Sequence, residues 1–179
     1  MTRFSVPTRD QVSPDNQALF DNLKTMLSFV PNLYATFAHS ATALGTYLTL
    51  QSAKSSLNAK QREVVNLVVS QVNDCEYCLA AHTAVGKMVG FTDAQILEIR
   101  HGRASFDPKL DALARFVREV AEKRGHVAAA DTEAFLDAGW SEGAVVDVIV
   151  VVGDKIITNY LHGVTKVAVD FPAASKLAA

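Results

Sequence analysis

Two cysteines and one histidine stand at a spacing that suits thiol chemistry. The chain has two cysteines, both within the tetrapeptide Cys75-Glu76-Tyr77-Cys78, and His82 follows four residues after the second. On a helix, with about 100° per residue, Cys75, Cys78 and His82 share one face. Cysteines three residues apart in a first helical turn are close enough to form a disulfide. In a reducing compartment, such a pair indicates redox or metal chemistry rather than a structural crosslink.

The expected position of this pair at a helix N-terminus favours the thiolate form. Asp74 is predicted to cap the helix, so both sulfurs lie near free backbone N–H groups and the positive end of the helix dipole. These features lower a thiol pKa from its reference value of about 8.5. His82 lies one turn past Cys78, close enough to take its proton or to hydrogen-bond the thiolate. Glu63, on the polar face of the preceding helix, can orient the imidazole and relay a proton if the two helices pack as a hairpin.

Two other interpretations stay open for these residues. Cys75, Cys78 and His82 could be part of a zinc site, although the second paired motif that zinc sites usually have is missing from the sequence. The fourth ligand would then be one of the remaining histidines: His39, His101, His126 or His162. The thiols could also be small core residues beside a satisfied histidine, and Glu63 taken alone fits a solvated helix face.

The elements that position these residues are predicted to be helices throughout. Apolar residues recur at helical spacing between cap and stop signals. The predicted helices begin at Ser13-Pro14, after Pro31 (running to Ser52), at Asn58, at Asp74 (ending near Gly90), at Thr92 (ending at Gly102), at Asp107-Pro108 (ending at Gly125), at Asp131 (ending at Gly139) and at Ser141. We therefore predict one all-α domain over residues 1–179, a helical bundle with the cysteine pair at a helix N-terminus.

One segment of the last helix is ambiguous. Residues 145–152 are rich in β-branched side chains, which is typical of a buried strand. Helix is favoured because Asp147, Asp154 and Asn159 break any alternation and because no partner strand is evident. The polar residues in this apolar stretch need partners, which a neighbouring helix or another subunit would supply.

Composition and charge limit the classes of partner and the cellular location that can be expected. With 49% hydrophobic and 20% charged residues, the chain has the composition of a globular protein rather than a disordered one. Lys and Arg number 17 against 19 Asp and Glu, and no basic stripe stands out, so nucleic acid is not an expected partner. The apolar run from Val148 to Val152 is too short to span a membrane. The segment from Met1 to Pro7 lacks a secretory pattern, so a cytoplasmic location is expected.

The segment from Glu63 to Thr83 resembles the signature of the alkylhydroperoxidase D-like, peroxidase-related branch of the carboxymuconolactone decarboxylase family. That signature is a glutamate twelve residues before the first cysteine, followed by C-x-x-C-x-x-x-H, and all four positions are matched here. Shorter similarities lie outside it, at Pro31-Asn32-Leu33-Tyr34, at Thr158-Asn159-Tyr160 and at Asp170-Phe171-Pro172.

The resemblance implies an all-helical fold, assembly as a homo-oligomer (a trimer, or a hexamer of dimers) and thiol-dependent peroxidase activity. Cys78 would be the peroxidatic cysteine and Cys75 the resolving one, with Glu63 and His82 as the proton relay. Tyr77 replaces a histidine of the best-studied hydroperoxidases and is a candidate supporting residue. The substrate would be a small hydroperoxide and the reductant a thioredoxin-like or lipoyl-linked dithiol, with no metal and no bound cofactor required.

Two alternative functions are compatible with the same motif. The first is thiol–disulfide exchange or redox sensing without significant peroxidase activity. The second, to which the resemblance is weaker, is a carboxymuconolactone decarboxylase activity, because the cysteine pair marks the redox branch of the family.

Overall fold

Every regular element of the computed structural model, which describes residues 4–177, is helical. A short 3-10 helix, Arg9–Gln11, precedes the α-helices. These are α1 (Pro14–Leu27), α2 (Asn32–Phe37), α3 (Ala43–Gln51), α4 (Ala59–Val72), α5 (Glu76–Met88), α6 (Asp93–Arg100), α7 (Pro108–Glu122), α8 (Ala129–Asp137) and α9 (Glu142–Thr165). The all-α prediction is confirmed, whereas the predicted extent of 1–179 includes five terminal residues that lie outside the described range.

Helix α4 lies at the centre of the bundle. It packs against α5, α6, α7 and α9, and its aliphatic side chains between residues 64 and 69 are almost fully buried. A helix surrounded on all sides is expected to be apolar all round. Helix α4 departs from this at Glu63, Asn66 and Ser70, which are also buried. These polar residues face α5 and α9, where the candidate site lies.

Most predicted helix starts are confirmed. The side chains of Ser13, Asn58, Thr92, Asp107 and Ser141 each accept a hydrogen bond from a backbone N–H in the first turn of the following helix. The β-branched segment is helical, as predicted, and lies within the 24 residues of α9. Within residues 4–177, no helix combines the length and the apolar composition needed to cross a membrane.

The predicted continuous helix after Pro31 is wrong, because residues 38–42 separate α2 from α3. The buried side chain of Asn16 in α1 donates hydrogen bonds to two carbonyls of this segment, at 3.4 and 3.0 Å. The hydroxyl of Ser40 accepts a hydrogen bond from the N–H of Ala43, at 3.3 Å. These side chains satisfy backbone groups that a continuous helix would have paired internally.

Two helix starts are shifted relative to the prediction. The N-cap of α5 is Cys75 and not Asp74, which has a φ of 49° just before it. The sulfur of Cys75 accepts a hydrogen bond from the N–H of Cys78, at 3.4 Å. Helix α8 begins at Ala129, two residues before Asp131, whose carboxylate accepts a hydrogen bond from the backbone N–H three residues earlier.

The cap of α7 can be tested directly. We expect Asp107→Ala to lower the free energy of unfolding by about 0.5–2 kcal/mol, because the carboxylate accepts hydrogen bonds from the N–H groups of Lys109 and Leu110. Urea unfolding measures the loss. The control is Glu133→Ala, which removes an exposed carboxylate from α8; an equal effect of both variants would contradict the capping role.

Candidate active site

The two cysteines are free, buried and in contact at the start of α5. Each is 3% exposed, and their sulfurs are 2.7 Å apart, with the Cys75 thiol donating a hydrogen bond to the sulfur of Cys78. The C-terminal segment covers the pair, since Val167 packs in the same apolar cluster. The arrangement suits one protonated and one ionised sulfur.

The surroundings decide which sulfur ionises. The pKa of Cys78 is lowered to about 6, chiefly by the hydrogen bond from Cys75 and further by the positive charge of Lys155, although burial opposes the change. The pKa of Cys75 is raised, because its proton is held in the bond to Cys78 and because the group is buried. Cys78 is therefore the sulfur that ionises first.

A buried carboxylate–imidazole pair joins α4 to α5. Glu63 Oε2 accepts a hydrogen bond from His82 Nδ1 at 2.8 Å, and its other oxygen accepts one from Asn66 Nδ2 at 2.6 Å. Burial alone would raise the pKa of Glu63, but these two hydrogen bonds and the positive charge of Lys155 outweigh burial and hold it below its usual value. An ionised carboxylate has no proton to give, so His82 carries its proton on Nδ1.

A lysine that was not identified in the sequence completes this group. Lys155 of α9 is 2% exposed, and its Nζ lies 3.1 Å from His82 Nε2. Asp154 Oδ2 lies 3.7 Å from Lys155 Nζ. A signal was present in the sequence, because a lysine within the most apolar helix needs a buried partner. The sequence did not identify His82 as the partner of Lys155, because the two residues are 73 positions apart.

Asn159, one turn after Lys155, is a second residue of α9 that contributes to the site. Its Nδ2 donates to the hydroxyl of Ser70 at 3.4 Å, and its Oδ1 accepts a hydrogen bond from Asn73 at 2.9 Å. Hydrogen bonding from Asn159 also lowers the pKa of Cys78. Ser70 in α4 and Asn73, the residue after this helix, thus both contact α9, and Asn159 acts as a neutral donor beside the thiols.

The hydroxyl of Tyr77 is hydrogen-bonded to the C-terminal segment and not to the Glu63–His82 pair. It donates to Asp170 Oδ1 at 2.6 Å and accepts a hydrogen bond from the N–H of Leu33 at 3.2 Å. Its ring packs against those of His162 and Phe171. The structure thus brings Cys75, Cys78, His82 and Glu63 together and gives Tyr77 other partners.

Cys75 also lines an open cleft of about 710 Å³, which Cys78 does not line. The C-terminal residues 173–177 form one wall of the cleft, and Arg100 forms part of the other. Arg100 donates to the carbonyl of Ser175 at 2.6 Å, which ties this segment to α6. An external molecule approaching through the cleft would therefore meet Cys75 first.

Two of the four histidines considered as further zinc ligands have other partners. His162 Nε2 contacts the carbonyl of Val167 at 3.2 Å, and His39 Nε2 contacts the carbonyl of Ser5 at 2.8 Å. Over residues 4–177, no three His, Cys, Asp or Glu side chains are grouped as metal ligands.

The chain is similar in sequence to one protein family and in fold to several solved structures. The model of the carboxymuconolactone decarboxylase family matches residues 35–122. A peroxidase-related protein from Silicibacter sp. TM1040 superposes with a TM-score of 0.83 at 22% identity, over 93% of this chain and 91% of that one. An alkylhydroperoxidase AhpD core protein from Ralstonia eutropha JMP134 gives 0.85 at 20% identity, over 94% and 92%.

A third protein with this fold is named for a different reaction, debromination. The debrominase Bmp8, in complex with 2,3,4-tribromopyrrole, has a TM-score of 0.77 at 11% identity, over 95% of this chain and 94% of that one. No curated protein sequence matches the chain significantly. At these identities the structural similarities establish the fold, while the chemistry has to be argued from the site.

The lowered pKa of Cys78 predicts a distinct pH profile. We expect the rate at which iodoacetamide alkylates Cys78 to fall as the pH drops through about 6 and to be level above it, because only the thiolate reacts. Mass spectrometry of peptides identifies the labelled residue. Cys78→Ser is the control, because it should lose the labelling at this position, and a midpoint near the ordinary thiol value for Cys78 would contradict the assignment.

Proposed function

Since residues 35–122 belong to the carboxymuconolactone decarboxylase family and the chain has the fold of the alkylhydroperoxidase D core, we propose that the protein is a thiol-dependent peroxidase. Small hydroperoxides are its proposed substrates. The observation that carries the proposal is the 2.7 Å contact in which the Cys75 thiol donates to the Cys78 sulfur, beside the buried Glu63–His82 pair. This contact supplies an activated sulfur and a second sulfur within reach of it.

The reaction begins with attack by Cys78. Its thiolate displaces one oxygen of the hydroperoxide, so that an S–O bond forms and the O–O bond breaks. The sulfur loses two electrons and becomes a sulfenic acid. The leaving alkoxide takes up a proton that comes from solvent, with Glu63 and His82 as the proposed relay, and departs as an alcohol.

Cys75 then resolves the sulfenic acid. Its sulfur attacks that of Cys78, an S–S bond forms, and the sulfenic oxygen leaves as water with the proton of Cys75. The short sulfur–sulfur distance supports this step because little movement is needed. No metal or bound cofactor takes part in this proposal.

An external dithiol returns the pair to the reduced state. A thioredoxin-like or lipoyl-linked thiolate attacks one sulfur, and its second thiol completes the exchange. The cleft lined by Cys75 supports attack at that sulfur, which leaves Cys78 as the departing thiolate. Because a lower thiol pKa makes a better leaving group, the lowered pKa of Cys78 favours this direction. The reducing cytoplasm is the proposed location.

The exposed face of α9 supports assembly with further copies of the chain. Apolar side chains lie within about 60° of one direction along this helix and form what we call the α9 stripe: Val146, Ile149, Val150, Ile157, Tyr160 and Val164. Gly153 lies on the same side, and no atom within 4 Å would meet a Cβ there. Such a contiguous apolar surface is typical of an interface between subunits, and a trimer or a hexamer of dimers is the proposed assembly.

Turnover by single-cysteine variants tests the peroxidase proposal. We expect Cys78→Ser to lose peroxide reduction, whereas Cys75→Ser should still consume one equivalent of hydroperoxide per chain and then stop. Thiol titration after mixing reduced protein with a small organic hydroperoxide measures both. Multiple turnover by Cys78→Ser would contradict the proposal.

The same samples separate peroxidase activity from thiol–disulfide exchange. An exchange protein would leave both thiols intact in excess hydroperoxide but would reduce a disulfide substrate. A peroxidase loses both thiols rapidly, and a dithiol restores them.

The α9 stripe can be tested by placing a charge on it. We expect Val164→Asp to shift the protein towards smaller species in sedimentation experiments, because this side chain is 73% exposed in the single chain and would be buried between copies. Met88→Asp is the control, since Met88 is 84% exposed at the end of α5, away from the stripe. Unchanged assembly of Val164→Asp would contradict the proposed interface.

A further inference from the structure

A buried lysine is left without a role by the mechanism above. Lys155 is almost inaccessible to water, and the amine of an ionised lysine is costly to bury unless its hydrogens are bonded. Its nitrogen contacts His82 Nε2 at 3.1 Å and lies 3.7 Å from the carboxylate of Asp154. The contact with His82 joins Lys155 to the helix that carries the thiols.

Counting protons in this group assigns the charges. Glu63 is ionised and accepts the hydrogen on Nδ1 of His82. Two nitrogens 3.1 Å apart can hold only one hydrogen between them, so His82 Nε2 and Lys155 Nζ cannot both be donors. An alkylamine is a far stronger base than an imidazole, so the shared hydrogen belongs to Lys155. His82 is then neutral and accepts the hydrogen bond from the ammonium.

From this geometry we propose that Lys155 is a positioning residue, whose ammonium fixes His82 in the neutral Nδ1–H form and supplies the positive charge that keeps Cys78 ionised. The chemical role it serves rests on the proposed peroxidase function, but its effect on Cys78 does not. The proton of Cys78 then leaves for solvent before the peroxide binds, and His82 does not have to hold it.

The other groups around Lys155 support a charged amine. Helix α4 contributes Glu63 and helix α5 contributes His82 and Cys78. Asp154 is the neighbouring charged residue on α9 itself. The phenols of α2 and α3, Tyr34 and Tyr47, lie on the remaining side; both share hydrogen bonds with Gln51 and have raised pKa values because they are buried. The tyrosines therefore stay neutral, and two carboxylates face the amine.

Removing the amine leaves those carboxylates without their cation. A thiolate forming beside them would then be opposed by negative charge rather than favoured by positive charge. An opposite charge nearby changes a pKa by about one to three pH units, so the loss of Lys155 is expected to raise the pKa of Cys78 by that amount.

Two substitutions of similar shape at neighbouring buried positions test the proposal. In a Cys75→Ser background, which leaves a single thiol with a hydroxyl donor beside it, the thiolate absorbance near 240 nm is followed against pH without peroxide. Lys155→Met should move the midpoint upward by about one to three pH units. Asp154→Asn removes a negative charge next to the same amine and should move it downward.

Opposite shifts separate an electrostatic role from a packing role, since disturbed packing would move both midpoints the same way. An unchanged midpoint in Lys155→Met, or an upward shift in both variants, would overturn the proposal. Lys54→Met, at an exposed position before α4, is the control for an unrelated lysine.

A measurement on the unsubstituted site decides the matter if Lys155→Met does not fold. Nitrogen NMR of ¹⁵N-labelled histidine should show His82 as a neutral imidazole protonated on Nδ1 at every pH above the thiolate midpoint. An imidazolium at His82 while Cys78 is ionised would overturn the assignment. Because none of these readouts uses peroxide, a normal charge pattern in a protein without turnover would refute the peroxidase function and leave this inference standing.

Discussion

The buried carboxylate of Glu63 is the constraint on which the arrangement of the site depends. It lies in the central helix, 6% exposed, where an unpaired charge would be strongly unfavourable. His82 and Asn66 supply its hydrogen bonds, and removing one partner of a buried pair typically costs about 3–5 kcal/mol. Helix α5 must therefore pack with its His82 side against α4. Since Cys78 lies one turn before His82, the same packing fixes the thiols at the α4–α9 junction.

The two cysteines are equally buried but have different surroundings. The side of the site that holds Glu63 and His82 is closed by α4 and α9, so charges there interact in a medium of low dielectric constant and affect the thiol pKa strongly. Cys75 instead borders a cleft whose far wall is the C-terminal segment. Hydrogen bonds from Tyr77 and Arg100 hold that segment at Asp170 and Ser175. Tyr77 thus helps to hold the segment that covers the site.

Sequence reasoning succeeded where the geometry is local. Cys75, Cys78 and His82 follow one another within two turns of a helix, so their spacing alone places them together, and Glu63 joins them through the adjacent helix of a hairpin. Lys155 could not be placed in this way, because its contact with His82 depends on how α9 crosses α5. The break between α2 and α3 was missed for the same reason, since the buried amide of Asn16 comes from 22 residues away.

Helix α9 carries both the site and the α9 stripe, on opposite sides. Lys155 and Asn159 are one turn apart on the face that meets α4 and α5, while the α9 stripe points about 180° away from it. A second copy of the chain docked on the stripe would cover the side of α9 opposite Lys155. It would also shield from water the helix whose ammonium faces His82. Assembly and thiol chemistry are thus compatible in one helix because its two faces are separated by the full width of the helix, about 10 Å.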